Sequence, residues 1–135
     1  MNSKNSKISV AQIGTKHGHA EGVLQVMLEN DDVEVKGIFE PDINRVEELK
    51  NLNEYPWNKV IFFEHQDQVF LDPTIKAVAS EGNNFESLAQ TYEILKSGKH
   101  VFYDKPAGDN FDDFLSCIKI AKQKKLFLQM GYMFR

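Results

Sequence analysis

Residues able to do chemistry fall in a few short segments of the sequence. Asp104-Lys105-Pro106-Ala107-Gly108 joins a carboxylate to a lysine just past a β-rich run, His100 to Tyr103. A lysine amine whose pKa is lowered can polarise a substrate oxygen or carry its proton. Gly14-Thr15-Lys16-His17-Gly18-His19 lies between the apolar run Ile8 to Ile13 and a segment of helical period. Such a strand-to-helix turn aims backbone N–H groups and a helix N-terminus at an anion such as a pyrophosphate. Of the glycines in G-x-G-x-x-G only Gly14 is in place. Lys16 stands at the second position and His19 at the third. Glu40 ends a second β-rich run, Val33 to Phe39, where a carboxylate can accept hydrogen bonds from both ribose hydroxyls of an adenosine. Its charge would repel a 2′-phosphate, which favours NAD over NADP.

His17 and His19 form an H-x-H pair, which raises the question of a metal. Two imidazoles are too few for a closed zinc site, and no carboxylate or thiol adjoins them in the sequence. No metal is expected, and both histidines are read as polar loop residues near a ligand. His65, on a loop, and His100, opening a strand, read as structural. Cys117 sits beside Ile118 and Ile120 on a helix and is expected to be an inert, buried thiol.

The elements that must position these groups alternate in period. Six strands are predicted: Ile8–Ile13, Val33–Phe39, Val60–Phe63, Ala77–Ser80, His100–Tyr103 and Leu126–Met130. Between them lie helical faces. Ala20, Val23, Leu24, Met27 and Leu28 form the first, and Ile43, Val46 and Leu49 the second, with Asp42 as its cap. A short helix is expected at Gln68 to Leu71. Phe85, Leu88, Ala89, Tyr92 and Leu95 form the next face, capped by Asn84 and stopped by Gly98. Phe111, Phe114, Leu115 and Ile118 form the last, capped by Asn110. Strands alternating with helices imply right-handed βαβ units on a parallel sheet. The fold class is therefore α/β: a doubly wound, Rossmann-like sheet of about six strands in the order 3-2-1-4-5-6.

With 135 residues, the chain has room for one domain. Residues 1–7 are polar and expected to be disordered, with the domain occupying 8–135. A hydrophobic share of 41% and a net charge of −4 suit a soluble globular protein and argue against gripping nucleic acid or an anionic membrane. One cysteine excludes an internal disulfide. With neither a signal-like start nor a membrane-length apolar run, the expectation is a cytoplasmic protein.

Gly98 to Gly108, G-K-H-V-F-Y-D-K-P-A-G, resembles the G-K-H-V-x-x-E-K-P motif of the glucose–fructose oxidoreductase / inositol dehydrogenase / MocA family. The resemblance runs from Ile8 to Arg135. It includes the strand-one glycine, the acidic end of strand two, Leu71-Asp72-Pro73 and the terminal Gly131-Tyr132-x-Phe134-Arg135. It implies an NAD(P)-binding domain of an oxidoreductase that moves a hydride between nicotinamide and a sugar, polyol or related hydroxyl substrate. Lys105 inherits the role of the motif lysine, which contacts nicotinamide ribose and substrate, and Asp104 replaces the usual glutamate. The family's T-P-N turn aligns with Gly82-Asn83-Asn84, which adds Gly82 and Asn84 to the cofactor-binding residues Gly14, Lys16, His17, Gly18, His19, Glu40, Asp104 and Lys105. Family members carry a second α/β domain that supplies the substrate pocket and the usual dimer interface. Its absence here implies a fragment without turnover of its own. Tyr132, Met133 and Phe134 near the chain end are expected to promote self-association. An NAD-dependent glycosidase domain and a non-catalytic nucleotide- or partner-binding module remain the alternatives.

Overall fold

The structure, a computed structural model, describes residues 6–132. The polar start up to Asn5, and Met133, Phe134 and Arg135 of the terminal motif, lie outside the described residues. Five parallel strands form one sheet: β1 (Ile8–Ile13), β2 (Val33–Phe39), β3 (Ile75–Ser80), β4 (His100–Asp104) and β5 (Leu128–Gly131). Their order is β2-β1-β3-β4-β5. The third expected strand, Val60 to Phe63, contributes only a parallel bridge between Phe62 and Ile38 beyond β2. It occupies the edge position foreseen for it, but the backbone leaves the ladder after the Ile38 N–H to Ile61 O bond (2.9 Å) and the Phe63 N–H to Ile38 O bond (2.8 Å).

The connecting helices are α1 (Ala20–Glu29), α2 (Ile43–Leu52), α3 (Asp67–Phe70), α4 (Ser87–Lys96) and α5 (Phe111–Lys124). Asp42 caps α2 through the N–H groups of Asn44 and Arg45, and Asn110 caps α5 through that of Asp113. Helix α4 has no side-chain cap, so Asn84 does not fill the capping role expected of it; Asn83 Oδ1 accepts from the N–H groups of Phe85 and Glu86, both at 3.0 Å, in the turn that leads into the helix. Gly98 follows α4 at φ +87, as a left-handed helix stop requires.

Helices α4 and α5 pack on one sheet face around Ile13, Val78, Ile94, Leu95, Val101, Tyr103 and Cys117. On the other, α1 joins Leu24, Ile38, Leu49 and Trp57 in a second core. Beyond α1 this second face is open. Val10, Ala77, Ala79, Phe102 and Gln129 floor a cavity of about 810 Å³ walled by Val23, Val26 and Met27. Two residues of the expected helical faces lie outside the core: Phe85, in the turn before α4, is 87% exposed, and Phe111, at the first position of α5, 73%. Cys117 is fully buried, and burial first, then Asp113, pushes its thiol up to about 11. That matches an inert packing role. Lys99 is buried as well, its ammonium donating to the carbonyls of Asp72 (2.6 Å) and Ile75 (2.9 Å). The lysine of the G-K-H-V segment thus ties the start of β3 to the end of α4. No helix among the described residues is long and apolar enough to cross a membrane.

Candidate functional site

Parallel strands bring their carboxyl ends to one edge of the sheet, so the segments after β1, β2, β3 and β4 converge. The Gly14 N–H donates to Phe39 O (2.8 Å), the Glu81 N–H to Ile13 O (2.7 Å) and the His17 N–H to Glu81 O (3.0 Å). Gly14 has φ +88, and a Cβ there would stand 2.3 Å from Gly82 N. Only glycine lets this turn press against the end of β3. Gln12, which the sequence reading passed over, is fully buried, and its amide donates to Gly14 O (3.1 Å) and Ala20 O (3.3 Å). A glutamine inside an apolar strand was the available signal. By contrast with α2 and α5, α1 has no side-chain cap: His19 occupies the capping position and meets the helix only through its carbonyl, which accepts from the Val23 N–H (2.9 Å). The Ala20 N–H donates to His17 O (3.0 Å), and the N–H groups of Glu21 and Gly22 are left for another acceptor.

Glu40 is 4% exposed. Its Oε2 accepts from Thr15 N–H (2.9 Å) and Thr15 Oγ1 (2.7 Å), and its Oε1 from Asp42 N–H (3.0 Å). The carboxylate therefore braces the first turn from below. Lys16 points outward and pairs with Asp42 at 2.8 Å, a contact that raises the lysine pKa and lowers that of the aspartate.

The two histidines are not alone. Sequence proximity offered them no carboxylate, but the sheet delivers Asp104 from the end of β4 and Glu81 from just past β3. His19 Nδ1 is 3.2 Å from both Asp104 oxygens, and His17 Nδ1 is 3.4 Å from Asp104 Oδ2 and 3.5 Å from Glu81 Oε2. Glu81 is completely buried, and burial first and Asp104 second push its carboxyl up to about 9. It is the chemical residue the sequence reading missed, because nothing in Ser80-Glu81-Gly82 distinguishes it from a strand end.

Lys105 extends into solvent, while its backbone N–H donates to Asp104 Oδ1 (2.9 Å) and its carbonyl accepts from His17 Nε2 (2.5 Å). The first turn from Lys16 to His19, Asn83 and Asn84 after β3, and Lys105 after β4 border one cleft of about 500 Å³. Gly82 lies behind it, buried against the Gly14 turn, and Glu40, buried against Thr15 and Asp42, does not line it.

Residues 8–132 match the model of an oxidoreductase family with an NAD-binding Rossmann fold, Gfo/Idh/MocA. An uncharacterized oxidoreductase of Synechocystis sp. is 20% identical over 132 residues, 98% of this chain and 34% of that protein. An NAD-binding protein from Listeria innocua superposes with a TM-score of 0.78 at 21% identity, covering 93% of this chain and 34% of that one. Biliverdin reductase of Synechocystis sp., solved with biliverdin and NADP+, superposes with a TM-score of 0.76 at 17% identity, covering 91% and 37%. The chain thus spans about a third of the length of these relatives.

Proposed function

This chain belongs to the Gfo/Idh/MocA oxidoreductase family, and from that premise we propose that it binds NAD in the cleft over the first turn, as the nucleotide half of a dehydrogenase. The substrate class we assign to the whole enzyme is a sugar, polyol or related hydroxyl compound. The observation that carries the reading is the cleft itself. It lies at the carboxyl ends of the strands, above the uncapped N-terminus of α1, with Lys105 on its rim. The residues fit a dinucleotide: Gly14 lets a pyrophosphate approach the backbone, and the N–H groups of Glu21 and Gly22 at the start of α1 are free to receive it. NAD, when bound, supplies the hydride acceptor. Lys105 would hold or move the proton of a substrate hydroxyl at its Nζ, and Asn84 would fix the cofactor at the opposite rim.

Glu40 spends three acceptor positions on Thr15 and Asp42, which leaves room for a ribose hydroxyl and none for a 2′-phosphate. Calorimetric titration of this chain should therefore give tighter binding of NADH than of NADPH. Glu40→Gln should narrow the ratio about tenfold, the scale of one charge-assisted hydrogen bond. A chain that binds neither nucleotide removes the reading, and equal affinities move the ribose contact to another residue. Turnover needs walls that orient substrate and exclude water. With sugars or polyols this chain alone should show none. The cytoplasm, where nicotinamide cofactors are held, is the compartment we assign. Association into a homo-oligomer is expected of the whole enzyme, and light scattering over a concentration series tests it for this chain.

A further inference from the structure

Three elements converge on one point beside the cleft: the first turn brings His17 and His19, the end of β3 brings Glu81, and the last residue of β4 brings Asp104. One ligand atom from each of His17, His19 and Asp104 lies within 4.8 Å of the others. In a tetrahedral site with bonds of about 2.0–2.1 Å, neighbouring ligand atoms stand about 3.3–3.4 Å apart. The contacts here have that spacing: 3.4 Å from His17 Nδ1 to Asp104 Oδ2, 3.5 Å to Glu81 Oε2, and 3.2 Å from His19 Nδ1 to Asp104 Oδ2.

The imidazole of His17 is set for coordination. The Lys105 carbonyl has no hydrogen to give, so His17 Nε2 must be the donor, and in the neutral ring Nδ1 is then a lone pair. A far nitrogen bonded to a backbone carbonyl is the usual second contact of a metal-bound histidine. Nδ1 accepts only the His19 N–H, at 3.0 Å, a single bond that an ion would replace. Glu81 is an independent observation. It is fully buried beside this lone pair, and neither of its oxygens has a hydrogen-bond donor. Among the described residues, the lysine and arginine ion pairs go to Asp42, Glu34 and Glu48, none to Glu81 or Asp104. A buried carboxylate without a donor calls for a proton or a cation. Three ligand atoms within 4.8 Å of one another, with Glu81 Oε2 3.5 Å from His17 Nδ1, favour the cation.

We propose that His17, His19, Asp104 and Glu81 bind a divalent transition-metal ion of the zinc class. Two imidazoles and two carboxylates suit zinc, and cobalt or nickel in its place. The ion enters past His19, whose side chain is 44% exposed and borders the cleft.

The test uses the untagged chain, stripped with EDTA, returned to chelator-free buffer and titrated without any dinucleotide. The result therefore stands apart from the NAD reading. Zn2+ calorimetry should give one ion per chain, and Co2+ the visible bands of a four-coordinate site. His17→Ala/His19→Ala should weaken binding at least about 100-fold, Glu81→Gln at least about tenfold, and His65→Ala not at all. Absence of saturable binding by the wild type at about 100 μM ion overturns the proposal. So does unchanged affinity in Glu81→Gln and in the double-histidine variant, each with wild-type circular dichroism, or loss of the ion on His65→Ala.

Discussion

Replacing Gly14 by alanine is expected to remove about 4 kcal/mol of stability, about a quarter or more of what a domain of this size holds. Two effects add. The residue sits at φ +88, where an L side chain is strained by about 1–2 kcal/mol. Its Cβ would also lie 2.3 Å from Gly82 N and 2.6 Å from both Glu81 C and Gly82 Cα. Those are backbone atoms at the end of β3, which cannot turn aside as a side chain can, and overpacking of that kind costs about 1–3 kcal/mol. Gly18 in the same turn is the control. A Cβ there meets nothing within 4 Å, so Gly18→Ala should change stability by less than about 0.5 kcal/mol. Urea unfolding of both variants checks this. A Gly14→Ala loss below about 1 kcal/mol would mean that the first turn can lift off β3 without penalty.

Much of the scaffold was legible because its signals are local. The strand runs, the caps Asp42 and Asn110 and the stop at Gly98 each depend on neighbours within a few residues. The errors arise where tertiary position decides. Val60 to Phe63 has the composition of a strand but meets β2 only at Ile38, so it stays a bridge. Phe85 obeys the helical spacing of α4 yet falls in the turn before it, which Asn83 rather than Asn84 ties through its side chain. The site follows the same division. Gly14, Lys105 and the segments around them could be placed from the sequence, because strand ends of a parallel sheet meet at one edge. That His17 and His19 face two carboxylates could not. Asp104 comes from 85 residues beyond His19, and Glu81 acquires its character only from being sealed behind the first turn. An H-x-H pair judged by its sequence neighbours therefore looked incomplete when its partners lay on β3 and β4.

In a chelating buffer the folded chain should lose stability as pH rises from about 5 towards 9, and Glu81→Gln should remove most of that loss. Burial and the neighbouring Asp104 push the Glu81 carboxyl up to about 9, against an ordinary value of 4.5. Between those two values the folded chain keeps a proton that the unfolded chain releases. The native state then binds more protons, so unfolding becomes easier as pH increases, by up to about 1.4 kcal/mol per pH unit. Below about 4.5 both states are protonated at this position and the dependence vanishes. Glutamine keeps the volume and carries no charge at any pH. Its amide can donate towards Asp104 or the His17 Nδ1 lone pair, as the carboxyl proton does. Asp104 and His17 face Glu81 directly, and His19 reaches it through Asp104; all three are common to both proteins. The difference between wild type and variant isolates the share of Glu81. Urea unfolding at pH 5.5 and 8.5 measures it: the wild type should lose several kcal/mol more than Glu81→Gln across that interval. Parallel losses would place the proton on another member of the cluster and leave Glu81 ionised at neutral pH, held by some rearrangement of Asp104 away from it.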